Sequence, residues 1–383
     1  MLNNFVPLKS EQYDIEDCFD VSKIKEAPDY GTFHGGYNHR SCLRPALVSV
    51  PAIDFSSISD FKWTFSGCKS LTIIPPLDTS NGTNFDGMFD YCTGLTSIPQ
   101  LDTSKGTSFA DMFEGCSSLT SVPQLDTSAG TTFTAMFRYC SSLTSIPQLD
   151  TSKGTSFADM FEGCSSLTSI PQLDTSKGTY FTYMFSRCTN LTSIPQLDTS
   201  KGTEFYGMFD YCTGLTSIPQ LDTSKGTSFR EMFHRCSGLT SIPQLDTSKG
   251  TEFYGMFDYC TGLTSIPQLD TSKGTYFSYM FEGCTTLRTL GTENVPDADG
   301  NLVAPWQFKV SVDFGDCPLD KASIECVMNN LQTVSSSQTL TISKTTALNI
   351  CGQTDKSYDY TSDAHYQEMM KICTDKGWTV AVN

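Results

Sequence analysis

Basic residues, histidine and long apolar runs are all scarce in this chain. It carries 25 Lys and Arg against 42 Asp and Glu, a formal charge of −17 with a pI near 4.5, so it repels a phosphate backbone and generic nucleic-acid binding is disfavoured. The four histidines, His34, His39, His234 and His365, are scattered, and none stands in a nucleophile or metal motif. His34, His39 and Cys42 fall in a glycine-rich stretch that reads better as a loop than as a metal cluster. There is no P-loop, no dinucleotide fingerprint and no C-x-x-C, and no pair of carboxylates stands out as a hydrolase would need. The expectation is therefore no enzyme, no cofactor and no metal. No apolar run approaches the roughly 18 residues of a membrane span, and the opening MLNNFVPLKSEQYDIED lacks the basic and apolar regions of a signal peptide, which predicts folding in a reducing cytoplasm.

What is present is a repeat. From Ile53 to Thr292 the 383-residue sequence recurs every 24 residues, giving ten copies of a unit typified by LDTSKGTSFADMFEGCSSLTSIPQ. Ahead of them Leu47 to Ala52 mimics the LTSIPQ ending, so residues 30–52 read as an N-terminal capping half-repeat. Residues 1–29 read as an acidic arm through Glu11, Asp14, Glu16, Asp17 and Asp20, a solvated terminus or a dock for a basic partner. Residues 293–383 lose the period and read as a separate closing module. A unit of this size buries no core alone, so neighbours must stack.

One copy, Leu149 to Gln172, predicts the coil. Phe157, Met160, Phe161 and Cys164 lie at i, i+3, i+4 and i+7, the apolar face of a short helix, with Thr155 as its cap. Leu167 to Ile170 reads as a strand stopped by Pro171, and Asp150 to Gly154 as a turn. The predicted fold is an α/β repeat solenoid, a leucine-rich-repeat-like right-handed coil of strand, turn and short helix, followed by a small α/β module.

Two ladders follow from the period. Cys68, Cys92, Cys116, Cys140, Cys164, Cys188, Cys212, Cys236, Cys260 and Cys284 share one repeat position and are expected to be buried free thiols, since bridges would pair the coils two by two. Asp78, Asp102, Asp126, Asp150, Asp174, Asp198, Asp222, Asp246 and Asp270 share another. Stacked like charges repel, so each is expected to bond its own turn, helped by a lysine such as Lys153; a row of weakly held cations is the alternative.

Differences among the copies concentrate around the apolar stripe. Tyr180, Tyr183, Tyr206, Tyr254, Tyr276, Tyr279, Arg230, Glu231 and His234 are the candidate ligand-binding residues, with Arg138, Arg187 and Asp210 among the same variable positions. Tyrosine and arginine supply contact area and polar handles at low entropic cost. Drift on an exposed face is the competing reading, because Leu197 to Gln220 is identical to Leu245 to Gln268.

The string MFxxCxxLTSIPQLDTS, present as Met160 to Ser176 and in most copies, closely resembles the BspA-like leucine-rich repeats of bacterial surface proteins and the related repeats of mycoplasma lipoproteins. That resemblance covers about residues 45–292 and implies adhesion and recognition. It departs from ordinary leucine-rich repeats, which carry LxxLxLxxN.

In the closing module, Phe308 to Phe314 reads as a strand, and Ile324, Val327, Met328 and Leu331 as a helix capped by Asp320. Leu340 to Ile342 follows as a strand, then Tyr366, Met369, Met370 and Cys373 as a helix after Asp363, and Trp378 to Val382 as a last strand. Asp299-Gly300 reads as a hairpin turn rather than part of a calcium loop with Asp297 and Asn301. SIECVMNNL, LTISKTTALNI and KGWTVAV resemble the closing module of repeat proteins in phage tails. The expected partners are a protein or glycan on a cell surface and, through the N-terminal region, other virion proteins. A homo-oligomer is compatible with the pattern. The expected placement is a virion surface, as a tail-associated structural or host-binding protein, with a bacterial cell surface, as an adhesin, the alternative.

Overall fold

The computed structural model describes residues 49–50, 55–296 and 299–383. The acidic arm, nearly all of the capping half-repeat, His34, His39, Cys42 and Asp297 lie outside them. The chain divides into two units, Met1–Lys177 and Gly178–Asn383, each holding five of the repeat's stacked phenylalanine pairs.

The apolar segment in each coil is not the expected helix. In the coil around Phe133 the amides of Met136, Arg138 and Cys140 close turns onto Phe133, Ala135 and Phe137 O at 3.2, 3.0 and 3.0 Å. The intervening amides of Phe133, Ala135, Phe137 and Tyr139 donate instead to Ser156, Ala158, Met160 and Glu162 O of the next coil, at 3.2, 2.9, 3.0 and 2.6 Å. Ala135 and Tyr139 have φ of 52° and 56°, and this left-handed geometry turns every second amide along the stack. A helix would spend those donors on itself and leave the coils far fewer main-chain bonds between them. There is accordingly no helix start at Thr155, whose hydroxyl donates to Thr131 O at 3.3 Å.

The expected strand is also reduced. Single amides bridge this segment in some coils, as Thr144 N–H does to Thr120 O at 3.2 Å and Thr216 N–H to Thr192 O at 3.2 Å. Among the described residues, paired strands of the array form only at its end, where β1 (Ser265–Ile266) runs parallel to β2 (Thr289–Leu290). The cause is local: Gly291 stands where the other copies carry proline, and its N–H donates to Ile266 O at 2.8 Å. Isolated parallel bridges such as Asn84↔Ser108 and Glu204↔Ser228 mark the other contact line.

The interior is as the period predicts. In the first unit Phe85 stacks on Phe109 and Phe89 on Phe113, both at 5.7 Å between centroids; in the second Phe205 stacks on Phe229 at 6.0 Å and Phe209 on Phe233 at 5.7 Å. These rings are fully buried, each contributing on the order of 2–3 kcal/mol by burial. The described cysteines are free, and the ladder thiols donate to a phenylalanine carbonyl one coil back, Cys140 to Phe113 O and Cys236 to Phe209 O at 3.0 Å. Burial pushes the Cys140, Cys164 and Cys212 thiols up. Buried threonines add a further row, Thr127 donating to Asp150 O at 2.8 Å. Each aspartate of the acidic ladder bonds its own turn, as Ser152 N–H does to Asp150 Oδ1 at 3.0 Å, and the bonds from Ser152 hold that carboxyl below its ordinary value, with Lys153 adding a smaller effect.

The second unit ends in the closing module. A hairpin of β3 (Val295–Pro296) and β4 (Leu302–Val303) precedes it, with Gly300 at φ 84° in its connection. Then come β5 (Val312–Phe314), α1 (Lys321–Asn330), β6 (Gln338–Ile342), α2 (Lys344–Ile350), α3 (Ala364–Asp375) and β7 (Trp378–Val382), the three strands forming one parallel sheet in the order β5-β6-β7. Asp320 caps α1 and Asp363 caps α3. Two expectations are corrected: the first strand begins at Val312, because Trp306 and Phe308 ahead of it fold inward, and α2, capped by Ser343, was not read from the sequence. Phe308 meets Phe277 edge-on at 4.9 Å and Phe314 stacks on Phe281 at 4.4 Å, so the module covers the last phenylalanine pair.

Candidate recognition face

The nine candidate residues all fall in the second unit. Tyr180, Tyr276 and Tyr279 are 53%, 44% and 53% exposed, while Tyr183, Tyr206, Tyr254, Arg230, Glu231 and His234 are half-buried. Asp210, expected to face outward, is buried at 6%.

Residues 24 apart stack, so the face is built of columns, and the columns alternate in chemistry. In one, Arg230 lies between Tyr206 and Tyr254, its guanidinium carbon 5.3 and 4.5 Å from the two ring centroids. In a second, Arg187, Tyr211, Arg235 and Tyr259 follow one another, with guanidinium-to-ring distances of 5.2, 4.9 and 5.0 Å. In a third, His234 sits between Asp210 and Asp258, with Nδ1 at 2.6 Å from Asp210 Oδ1 and Nε2 at 3.4 Å from Asp258 Oδ2. Arg235 Nε donates to His234 Nε2 at 3.1 Å, a geometry that puts the ring proton on Nδ1. Burial raises the Asp258 carboxyl to about 6 in spite of His234.

Two contacts between coils pair size with its absence, one in a fourth column and one at the end of the second. The rings of Tyr183 and Tyr259 lie against Gly207 and Gly283 of the following coils, where a Cβ would overlap them. Tyr254 of the first column also reaches two exposed tyrosines, stacking on Tyr276 at 5.2 Å and meeting Tyr279 edge-on at 5.4 Å. Tyr183 packs on Tyr206 at 4.7 Å. Tyr180 shares no ring contact with this group among the described contacts.

The first unit repeats the scheme with more acid. Arg138 Nε lies 2.6 Å from Glu162 and its Nη1 3.8 Å from Glu114, the same column that holds His234 in the other unit. Burial raises Asp90 and Asp111 to about 7 and Glu114 to about 6, with neighbouring carboxylates adding to the effect. Sequence reading passed over Tyr211, Arg235, Asp258, Glu114 and Glu162; aligning the copies and reading down each column, instead of along the chain, exposes the alternation. No group of three or more metal-ligating side chains occurs among the described residues, and no helix there is long and apolar enough to cross a membrane.

Stacked coils of one repeated unit, sharing a phenylalanine and cysteine interior, define a leucine-rich-repeat-like solenoid protein. The chain belongs to the family described as Mycoplasma protein of unknown function, DUF285, whose model matches residues 46–146, 120–217 and 203–297. No curated protein matches. Solved structures with likeness include the TLR13–ssRNA13 complex, at 14% identity and TM-score 0.27, covering 74% of this chain and 41% of that one. A leucine-rich-repeat protein of Leptospira interrogans shows 10% identity and TM-score 0.22, covering 77% of this chain and 90% of that one. The functional domain of InlJ from Listeria monocytogenes, described as including a cysteine ladder, shows 15% identity and TM-score 0.15, covering 72% and 75%. At these values none of the three carries a functional argument.

Proposed function

We propose that this protein is a non-enzymatic recognition module displayed on a biological surface, binding a protein or glycan through the tyrosine and arginine columns of its second unit. The observation that carries this is the arrangement of Tyr206, Arg230 and Tyr254, three consecutive coils presenting one guanidinium held between two rings. Rings fixed by their own neighbours lose little entropy on meeting a ligand, and four further tyrosines, Tyr180, Tyr259, Tyr276 and Tyr279, stand exposed along the same unit. Drift does not select a partner of complementary size or charge one coil away, as at Tyr183 with Gly207 or His234 with Asp210.

The test is attachment. Tyr180→Ser, Tyr206→Ser and Tyr276→Ser, combined in the full chain, are expected to leave the melting temperature nearly unchanged and to lower retention on intact bacterial or host cells and on a glycan array. Unaltered retention on every surface that holds the parent protein sinks the reading.

Family membership supports placement on a bacterial cell surface. Placement on a virion rests on the closing module's likeness to phage-tail modules, a segment beyond the family match. Mass spectrometry of purified particles against cell envelopes separates them.

A further inference from the structure

In the second unit each coil hands its turn amides to the next. From the penultimate coil, Phe253, Gly255, Phe257 and Tyr259 donate to Tyr276, Ser278, Met280 and Glu282 O at 2.9, 3.0, 3.0 and 2.7 Å. The last coil has no successor. Gly283 N–H is taken by Asp316 Oδ2 at 2.9 Å, but the amides of Tyr279 and Phe281 reach no acceptor among the described residues. Both residues line a cleft of about 440 Å³ between this coil and the β5–β6 sheet, a volume in the range of ligand sites. Its walls carry Glu282, Asp313 and Asp316, and no Lys, Arg or His lines it.

These two features select the occupant. An anion would suit the amides but meet three carboxylates, and a bare cation would suit the carboxylates but face N–H donors. A ligand that satisfies both offers oxygen acceptors at a two-residue repeat together with positive charge. An extended peptide presents its carbonyls on one side at that repeat. We propose that the cleft binds an extended basic segment of a partner protein. Its main-chain carbonyls accept from Tyr279 and Phe281 as a further coil would, and a Lys or Arg side chain lies against Glu282 and Asp313. This site is separate from the tyrosine and arginine columns and stands whether or not they bind a ligand.

The probe is a blocked hexapeptide of alternating lysine and threonine, titrated into the isotopically labelled full chain. Binding is expected to slow hydrogen exchange at the Tyr279 and Phe281 amides at least tenfold. Glu282→Gln and Asp313→Asn are each expected to weaken it by about three- to fivefold. The asparagine keeps an oxygen for the Gly315 amide that Asp313 Oδ1 now accepts at 2.7 Å. An analogue with glutamate in place of lysine is expected not to bind, and Tyr206→Ser to leave the peptide's affinity unchanged. The proposal is overturned if the peptide does not bind or leaves those two amides exchanging as before. It is equally overturned if the amides are already as protected in the free protein as that of Phe257, or if the glutamate analogue binds as well.

Discussion

The ring of Tyr183 lies over Gly207 of the next coil, a residue at φ 58°. The backbone there does not itself demand glycine, since Ala135, Tyr183 and Glu231 hold the same repeat position at φ 52°, but the Tyr183 ring leaves no space for a Cβ. Gly207→Ala is therefore expected to destabilise the protein by about 1–3 kcal/mol. Adding Tyr183→Ser should recover part of that loss, the part due to overlap rather than to backbone strain. A denaturant double-mutant cycle with no coupling between the two positions would count against the packing account.

Phe209 stacks between Phe185 and Phe233 at 5.7 Å on either side and is fully buried. Phe209→Ala should cost about 3–5 kcal/mol, the loss of burial plus a cavity that rigid neighbours cannot fill. Equilibrium unfolding in urea reads this directly, and a midpoint unchanged within error would contradict a shared aromatic interior.

The ladder thiols are buried, pushed upward by burial and engaged as donors. They should resist a water-soluble disulfide reagent under native conditions, while the half-exposed Cys326 and Cys351 react, and the full complement should react only in denaturant. Rapid native labelling of Cys212 or Cys236, located by mass spectrometry of peptides, would show that the stack opens.

Acidity should stabilise the first unit over a defined window. Asp90 and Asp111 are raised to about 7 and Glu114 to about 6, so the folded state binds protons that the unfolded chain, with ordinary carboxyls, has already released. Their contribution is full below the ordinary carboxylate range and is lost as pH rises through about 6 to 7. The melting temperature should fall from about pH 5 to about pH 8, and Asp111→Asn should flatten that slope. A melting temperature that rises across the same interval would refute the assignment.

Much of the interior was legible from the repeat, because stacking in register obliges position and burial to recur. Phe157, Met160, Phe161 and Cys164 are buried as their spacing demands. Their helix was not legible correctly: the i, i+3, i+4, i+7 pattern suits a run of turns as well, and nothing in Ala135 or Tyr139 announces a positive φ. Of the candidate face, the residue types were visible, but the partners Tyr211, Arg235 and Asp258 were not, since they meet only across coils.

The amino-acid order alone determined the 24-residue period, and with it that one set of phenylalanine, methionine and cysteine side chains must share a continuous core, because a single unit is too small to bury them. Only the tertiary structure decided where the backbone amides go. Left-handed residues such as Ala135 and Tyr139 help turn every second amide along the stack, so within a unit one coil is bonded to the next, and the last one is left with donors still to satisfy.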